Sequence, residues 1–220
     1  MSAPAGDEPV EPRLSRLGLD VLAAHAGAVL LQPRSGRFLF LRHGTTAGNV
    51  DKIYQGFDQP LNELGHAQAR EAAALLVARG GIERIVASDM DRAWQTAGIV
   101  GAALGLPVSA EIRLRERWFG DLVGTSSARL DWSHDPPNGD RMVDFIARTR
   151  EGLLAALDTD RSTLVVAHGG TLNVLAGSLR FALQAAHMHN ASPLDFQRDG
   201  EVWRVTPLGA PPKGELLGPS

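Results

Sequence analysis

Short apolar runs ending in Gly or Asp alternate along this chain with longer segments in which Leu, Ala, Val and Ile recur at helical spacing. Phe38-Leu39-Phe40-Leu41 predicts a buried strand. Leu64, Ala67, Ala72, Leu75 and Leu76 then follow at helical spacing and stop at Gly80-Gly81. Ile85-Val86-Ala87 reads as a second strand, 91–104 as a helix closed by Gly105, and 108–114 as a third strand. After an irregular stretch through Asp135-Pro136-Pro137-Asn138-Gly139, the pattern predicts a helix over 140–157, a strand over 163–167 and a helix over 171–183. Asp199-Gly200 marks a hairpin between 195–197 and 202–205.

Strand and helix in alternation imply βα units. The expected fold class is therefore α/β, a three-layer sandwich with a mainly parallel sheet, an antiparallel edge and helices on both faces. This domain covers 37–208. Residues 1–36 make an N-terminal extension, in which 13–36 accommodates a short helix and an extra strand. The first dozen positions and 209–220 are rich in Pro, Gly and small or charged residues, and are expected to be loose tails.

Composition narrows the class. The 220 residues suffice for one sizeable core. With 44% apolar and 21% charged residues and a net charge of −3, the chain is neither disordered throughout nor a general nucleic-acid binder. The absence of cysteine excludes disulfides, thiolate zinc sites, iron–sulfur ligation and a cysteine nucleophile. No apolar stretch reaches the length of a membrane span, and Asp7, Glu8 and Glu11 among prolines oppose a signal peptide, so a cytoplasmic location is expected.

Polar residues placed just after the strands of a parallel sheet lie at its carboxyl edge, where ligands bind. Two predicted strands end in histidine, in Arg42-His43-Gly44-Thr45-Thr46 and in His168-Gly169-Gly170-Thr171. A third ends in Ser88-Asp89 and is followed by Arg92. A single strand-end histidine is usually a satisfied structural residue. Two histidines and two arginines at one sheet edge have no packing purpose, and they match a phosphoryl group. Guanidinium forks bind phosphate oxygens in bidentate fashion, and an imidazole nitrogen can attack phosphorus to give a covalent intermediate. Preorganised cations then stabilise charge spread over the equatorial oxygens, with no metal or other cofactor required.

The stretch Leu41-Arg42-His43-Gly44-Thr45-Thr46-Ala47-Gly48-Asn49 resembles the signature of the histidine phosphatase superfamily, also called the phosphoglycerate mutase-like family. The resemblance continues through Gln55-Gly56, Asp58, Pro60-Leu61-Asn62, Leu64-Gly65 and Gln68-Ala69. Ser88-Asp89-Met90-Asp91-Arg92-Ala93 with Thr96-Ala97 is similar to the family's second-arginine motif. Glu116-Arg117-Trp118-Phe119-Gly120 with Gly124 is similar to its acidic motif, and His168-Gly169-Gly170 to its second histidine. The match covers roughly 37–206, and four ordered motifs are far more specific than one Arg-His-Gly.

This resemblance implies roles. His43 would become the phosphohistidine, Arg42, Arg92 and His168 would clamp the phosphoryl oxygens, and Glu116 would protonate the leaving oxygen and then deprotonate water. Thr45, Thr46, Asn49, Gln55, Gly56 and Gly169 would line the pocket. Arg117 would either contact substrate or balance Glu116. Mutase-like members carry a long insertion with extra basic residues between the acidic residue and the second histidine. Here 52 residues separate Glu116 from His168, which leaves only about 125–139 for a lid, with Arg129 and His134 but no basic cluster. A short lid admits water, which favours a phosphatase acting on a small phosphorylated metabolite over a mutase, with a non-catalytic phosphate-binding module more remote.

Asp140-Arg141 replaces the family's commoner Gly-Glu-Ser ending, and Arg141 reads as a surface residue. Asp89-Met90-Asp91 is also similar to the Asp-x-Asp of magnesium-dependent haloacid dehalogenase-like phosphatases, but Ala93 stands where that motif wants Thr or Val. His187-Met188-His189 lacks a third metal ligand nearby in sequence and reads as a post-helix loop, with Asn190-Ala191-Ser192 a turn before an edge strand. The extension ahead of the first motif leaves room for packing on a second subunit, a homo-oligomer.

Overall fold

The computed structural model describes residues 17–210, so the tail predicted at 1–12 and nearly all of that at 209–220 lie outside the described residues. Its helices are α1 (Leu19–Gly27), α2 (Ala47–Val50), α3 (Glu63–Arg79), α4 (Asp91–Leu104), α5 (Met142–Leu157) and α6 (Gly169–Leu179). Its strands are β1 (Arg37–Arg42), β2 (Arg84–Ala87), β3 (Val108–Ala110), β4 (Thr163–Ala167), β5 (Pro193–Asp199) and β6 (Val202–Pro207), in the sheet order β3-β2-β4-β1-β5-β6. The β1–β4, β4–β2 and β2–β3 pairs are parallel, and β5 pairs antiparallel with both β1 and β6. The antiparallel edge is the predicted hairpin, turned at Gly200 with φ 62°.

The central strands read as continuous apolar runs because both faces of the sheet are covered. Strand alternation sends Phe38, Phe40, Val165 and Phe196 to one face, against Leu153 and Leu157 of α5 and Leu172 and Leu175 of α6. It sends Leu39, Leu41, Leu164, Val166 and Ile85 to the other, against Ala72 and Leu76 of α3 and Ala97 and Val100 of α4. Three layers result.

Three elements differ from the sequence pattern. The third strand stops at Ala110, because Glu111 caps a 3-10 turn over Ile112–Leu114, accepting from the Arg113 backbone N–H and pairing with its guanidinium at 2.7 Å. The helix expected over 171–183 begins at Gly169 and ends at Leu179, where Arg180 takes the left-handed conformation at φ 54°. Within 17–36 there is a helix but no strand. That helix, α1, lies across α6 of its own chain, where a Cβ on Gly177 would stand 2.7 Å from the Ala23 carbonyl. Arg150 of α5 donates to the Ala26, Val29 and Leu30 carbonyls at its C-terminal end, a cation where the helix dipole is negative.

Register sets the site. Arg42 of β1 lies opposite Ala167 of β4, and Ala87 of β2 opposite Val166, so His43, His168 and Ser88 leave the sheet side by side. The loop after β1 is pressed against the start of α3: a Cβ on Gly65 would stand 2.1 Å from the Thr45 carbonyl, and one on Gly44 2.5 Å from the Gly65 carbonyl. Gly65→Ala should therefore destabilise the protein by about 2 kcal/mol, against its helix propensity, as read from the urea midpoint; an unchanged or raised midpoint would contradict this packing.

Candidate active site

One cleft opens at the carboxyl edge of the sheet, with an empty volume of about 580 Å³ including the open solvent at its mouth. Arg42, His43, Arg92, Glu116, Gly169 and Gly170 line its base, and Asn49, Gln55, Phe119 and Trp132 are among the residues of its walls. Five distant chain segments thus converge there.

His43 is buried, and its ring lies 5.3 Å from that of His168, centroid to centroid. Its Nδ1 is 2.8 Å from the Gly44 carbonyl, which can only accept, so Nδ1 carries the proton and Nε2 keeps its lone pair. Burial, with Arg92 and Arg42 close by, holds its pKa well below 6.5. The same causes, led by burial, hold the fully buried His168 low, and its Nε2 is 2.9 Å from the Ser88 hydroxyl. Both imidazoles are neutral at neutral pH.

The arginines are held by carbonyls. Arg42 Nη1 donates to Met188, and Arg92 Nη1 donates to Gly56 at 2.9 Å. Burial lowers the Arg92 pKa to about 10, which still leaves it charged at neutral pH. Buried polar atoms with no hydrogen-bond partner among the described residues include Arg92 Nε, His168 Nδ1, Thr45 Oγ1 and Thr171 Oγ1. Such atoms are rare in native interiors, and two of them, Arg92 Nε and His168 Nδ1, belong to the centre that Arg42 and His43 share. An anion at that centre suits them.

Glu116 is fixed at both oxygens: Oε1 accepts from the Arg117 backbone N–H and Oε2 from that of Gly170, each at 3.0 Å. A carboxylate has about four lone-pair directions, so the remaining ones are open to a leaving oxygen or a water. A Cβ on Gly170 would stand 2.1 Å from Glu116 Oε1, 2.8 Å from Trp132 and 2.9 Å from Phe145. Glu116 and its aromatic wall thus occupy the space that a side chain at 170 would fill.

The other sequence-predicted residues divide. Asn49, Gln55 and Gly169 line the cleft. Thr46 caps α2, its hydroxyl 2.7 Å from Gln55 Oε1, and Thr45 is tied through its N–H to Gln68; both are buried behind the wall. Gly56 contributes its carbonyl to Arg92. Arg117 is turned away from the cleft and fully buried, donating to the Trp132, His134 and Asp140 carbonyls and to Asp135, so it organises the lid rather than reaching a ligand. Arg141 is exposed, and the His134 side chain faces solvent.

Several functional neighbours were not singled out by sequence. Asn190 donates to the His43 carbonyl at 2.8 Å, and the Ala191 N–H donates to that of Arg42 at 3.0 Å, so the segment expected only as a turn clamps the loop after β1. His187 accepts from the Gln184 N–H in a 3-10 turn over Ala185–Met188. Arg148 donates to the Arg113 and Arg115 carbonyls and to Asp140, which also accepts from the Trp118 N–H, so this pair braces the loop that carries Glu116. Trp132 carries no sequence signal of its place in the wall, and its backbone N–H donates to the Leu17 carbonyl just ahead of α1. Asp140 stands out in sequence only as a departure from the family's Gly-Glu-Ser ending, and nothing there pairs it with Arg148.

A neutral imidazole with a free nitrogen, two buried guanidiniums and a fixed carboxylate at one sheet edge define a phosphoryl-transfer centre of the phosphohistidine class. The sequence model of the histidine phosphatase superfamily (branch 1) matches residues 38–210, and the chain belongs to that superfamily. It is 37% identical over 171 residues to glucosyl-3-phosphoglycerate phosphatase of Mycobacterium tuberculosis, a match covering 66% of this chain and 76% of that one. It is 33% identical over 169 residues to a 2,3-bisphosphoglycerate-dependent phosphoglycerate mutase of Xanthobacter autotrophicus, covering 66% and 82%. The solved structure of a mycobacterial glucosyl-3-phosphoglycerate phosphatase complexed with VO3 superposes with a TM-score of 0.64 at 33% identity, covering 77% of this chain and 96% of that one.

Two outcomes follow from this geometry. Gly170→Ala should lower kcat/KM at least tenfold, a loss of about 1.4 kcal/mol of transition-state stabilisation, by displacing Glu116 or Trp132; wild-type kinetics would show that the carboxylate is not held there. Both buried histidines have folded pKa values below 6.5, so the unfolded chain binds more protons once pH falls below about 6.5. Stability should therefore fall as pH drops through that value and be insensitive to these groups above it. The decline in thermal midpoint between about pH 6.5 and 5 should be shallower in His168→Asn.

Proposed function

We propose that the protein is a phosphatase that hydrolyses a small phosphomonoester through a phosphohistidine on His43. The observation that carries this reading is the His43 tautomer, with Nδ1 committed to the Gly44 carbonyl and Nε2 left as a lone pair among buried arginines. The Nε2 lone pair attacks phosphorus as the ester P–O bond breaks, and Glu116 gives its proton to the leaving oxygen. Water, deprotonated by Glu116, then attacks phosphorus. The P–N bond breaks, its electron pair returns to Nε2, and inorganic phosphate leaves. Arg42 and Arg92 neutralise the equatorial oxygens throughout, with His168 as a further donor.

The lid supports hydrolysis over transfer to a second acceptor. Neither of its arginines is among the residues that line the cleft: Arg117 is consumed within the lid and Arg129 is exposed outside that lining. A second phosphoryl group would find no pair of cations there. The relatives named above act, by their names, on phosphorylated small metabolites of the phosphoglycerate type, which supports a substrate of that size. A cytoplasmic site of action fits such a substrate, and no described helix is long and apolar enough to cross a membrane.

Phosphate release from a panel of phosphomonoesters in excess chelator, for wild type and variants, tests the reading. His43→Ala should abolish release, a drop of at least about 10⁴-fold, while the folded state persists; residual near-normal turnover would refute the nucleophile. Glu116→Gln should slow alkyl esters about 10²-fold or more and p-nitrophenyl phosphate far less, because an activated phenolate needs little protonation. Equal losses on both would remove the acid role.

A further inference from the structure

The cleft contains a cation that the phosphoryl chemistry does not use. Lys52 lines it on the side of α2, among Ile53, Tyr54, Ser127 and Leu130, and takes part in no ion pair among the described residues. Its backbone is in the left-handed region at φ 52°, one residue past the C-cap of α2. That position favours glycine or asparagine, and a lysine there is held against its preference. What holds it is the lid: the Ser127 N–H donates to the Lys52 carbonyl at 2.7 Å, and Ile53 bridges Ser126. Backbone strain at a ligand cleft, in a residue whose side chain lines that cleft, points to a use for the side chain.

Charge identifies the ligand. The lining carries Arg42, Arg92, Lys52 and one carboxylate, Glu116. A phosphomonoester dianion compensates the two arginines, and the Glu116 carboxyl is already held by the Arg117 and Gly170 N–H groups. One positive charge then remains, at Lys52, beside a wall of Tyr54, Phe119, Leu130 and Trp132 that offers apolar surface and no further cation. A single ammonium suits a single carboxylate better than a second phosphate, which calls for a pair of cations or a guanidinium fork.

We infer that Lys52 is a specificity residue that binds a carboxylate on the leaving group, so that the preferred substrates are phosphomonoesters of hydroxy acids. This rests on the phosphatase reading above and deepens it.

The test uses two esters that differ only in carboxylate against hydroxymethyl, 3-phosphoglycerate and glycerol 3-phosphate. Wild type should favour the acid by about tenfold or more in kcat/KM, with the preference shrinking as salt is raised. Lys52→Met should bring the ratio toward unity, and Lys52→Arg should keep most of it. Lys52→Gly, which relieves the backbone, should lose the preference while its thermal midpoint stays at or above that of wild type. A wild type indifferent to the carboxylate, or a Lys52→Met variant that keeps the full preference, overturns the inference and leaves the phosphatase reading standing. Absence of phosphate release from every ester would instead sink that reading. The ratio of Kd values of the two esters for His43→Ala, by titration calorimetry, then decides the role of Lys52 without turnover.

Discussion

Two guanidinium groups and two imidazoles are packed into the dry end of a parallel sheet, and the rest of the architecture follows from making that arrangement tolerable. Burying a charge is expensive unless its donors are satisfied. Here the Met188 and Gly56 carbonyls accept from Arg42 and Arg92. A carbonyl orients a guanidinium without cancelling its charge, so the positive field survives at the strand ends. That field favours a phosphoryl dianion and disfavours a proton on His43. The same electrostatics therefore suit an anionic ligand and keep His43 Nε2 unprotonated.

Around this centre, precision comes from backbone rather than side chains. Glu116 is aimed by two N–H groups, His43 by one carbonyl, and the loop between them and α3 by contacts in which Cβ atoms are excluded. Backbone groups have few rotamers, so positions set this way lose little geometry to side-chain motion. Side chains do the bracing one layer out, as in the Arg148–Asp140 pair and in Arg117, whose donors gather the lid into a single unit.

Much of this was legible in the sequence. Strand ends bearing Arg42-His43, Ser88 and His168 gave the layered α/β fold and the core of the site, since apolar runs closed by polar residues are local signals. What escaped were long-range partnerships. The Asn190 side chain reaches the His43 carbonyl across 147 positions, and nothing in Asn190-Ala191-Ser192 announces it. Arg117 sits beside the acid in sequence but faces the other way, because the lid carbonyls offer it a buried set of acceptors that no local pattern displays. The 3-10 turn at Ile112–Leu114 replaced the end of a strand for a similar reason: the Glu111 side chain competes for backbone donors, a choice hidden from apolar periodicity.

Helix α1 stands outside the stretch shared with the superfamily, yet Leu22 and Ala26 pack in the same apolar cluster as Phe119, Leu130 and Trp132, which face the cleft. Contacts such as Arg150 to Ala26 span 124 positions and tie α1 to α5. The cleft wall is therefore backed by a helix remote from it in sequence. A segment outside the superfamily match thereby backs the apolar surface against which a ligand in the cleft would rest.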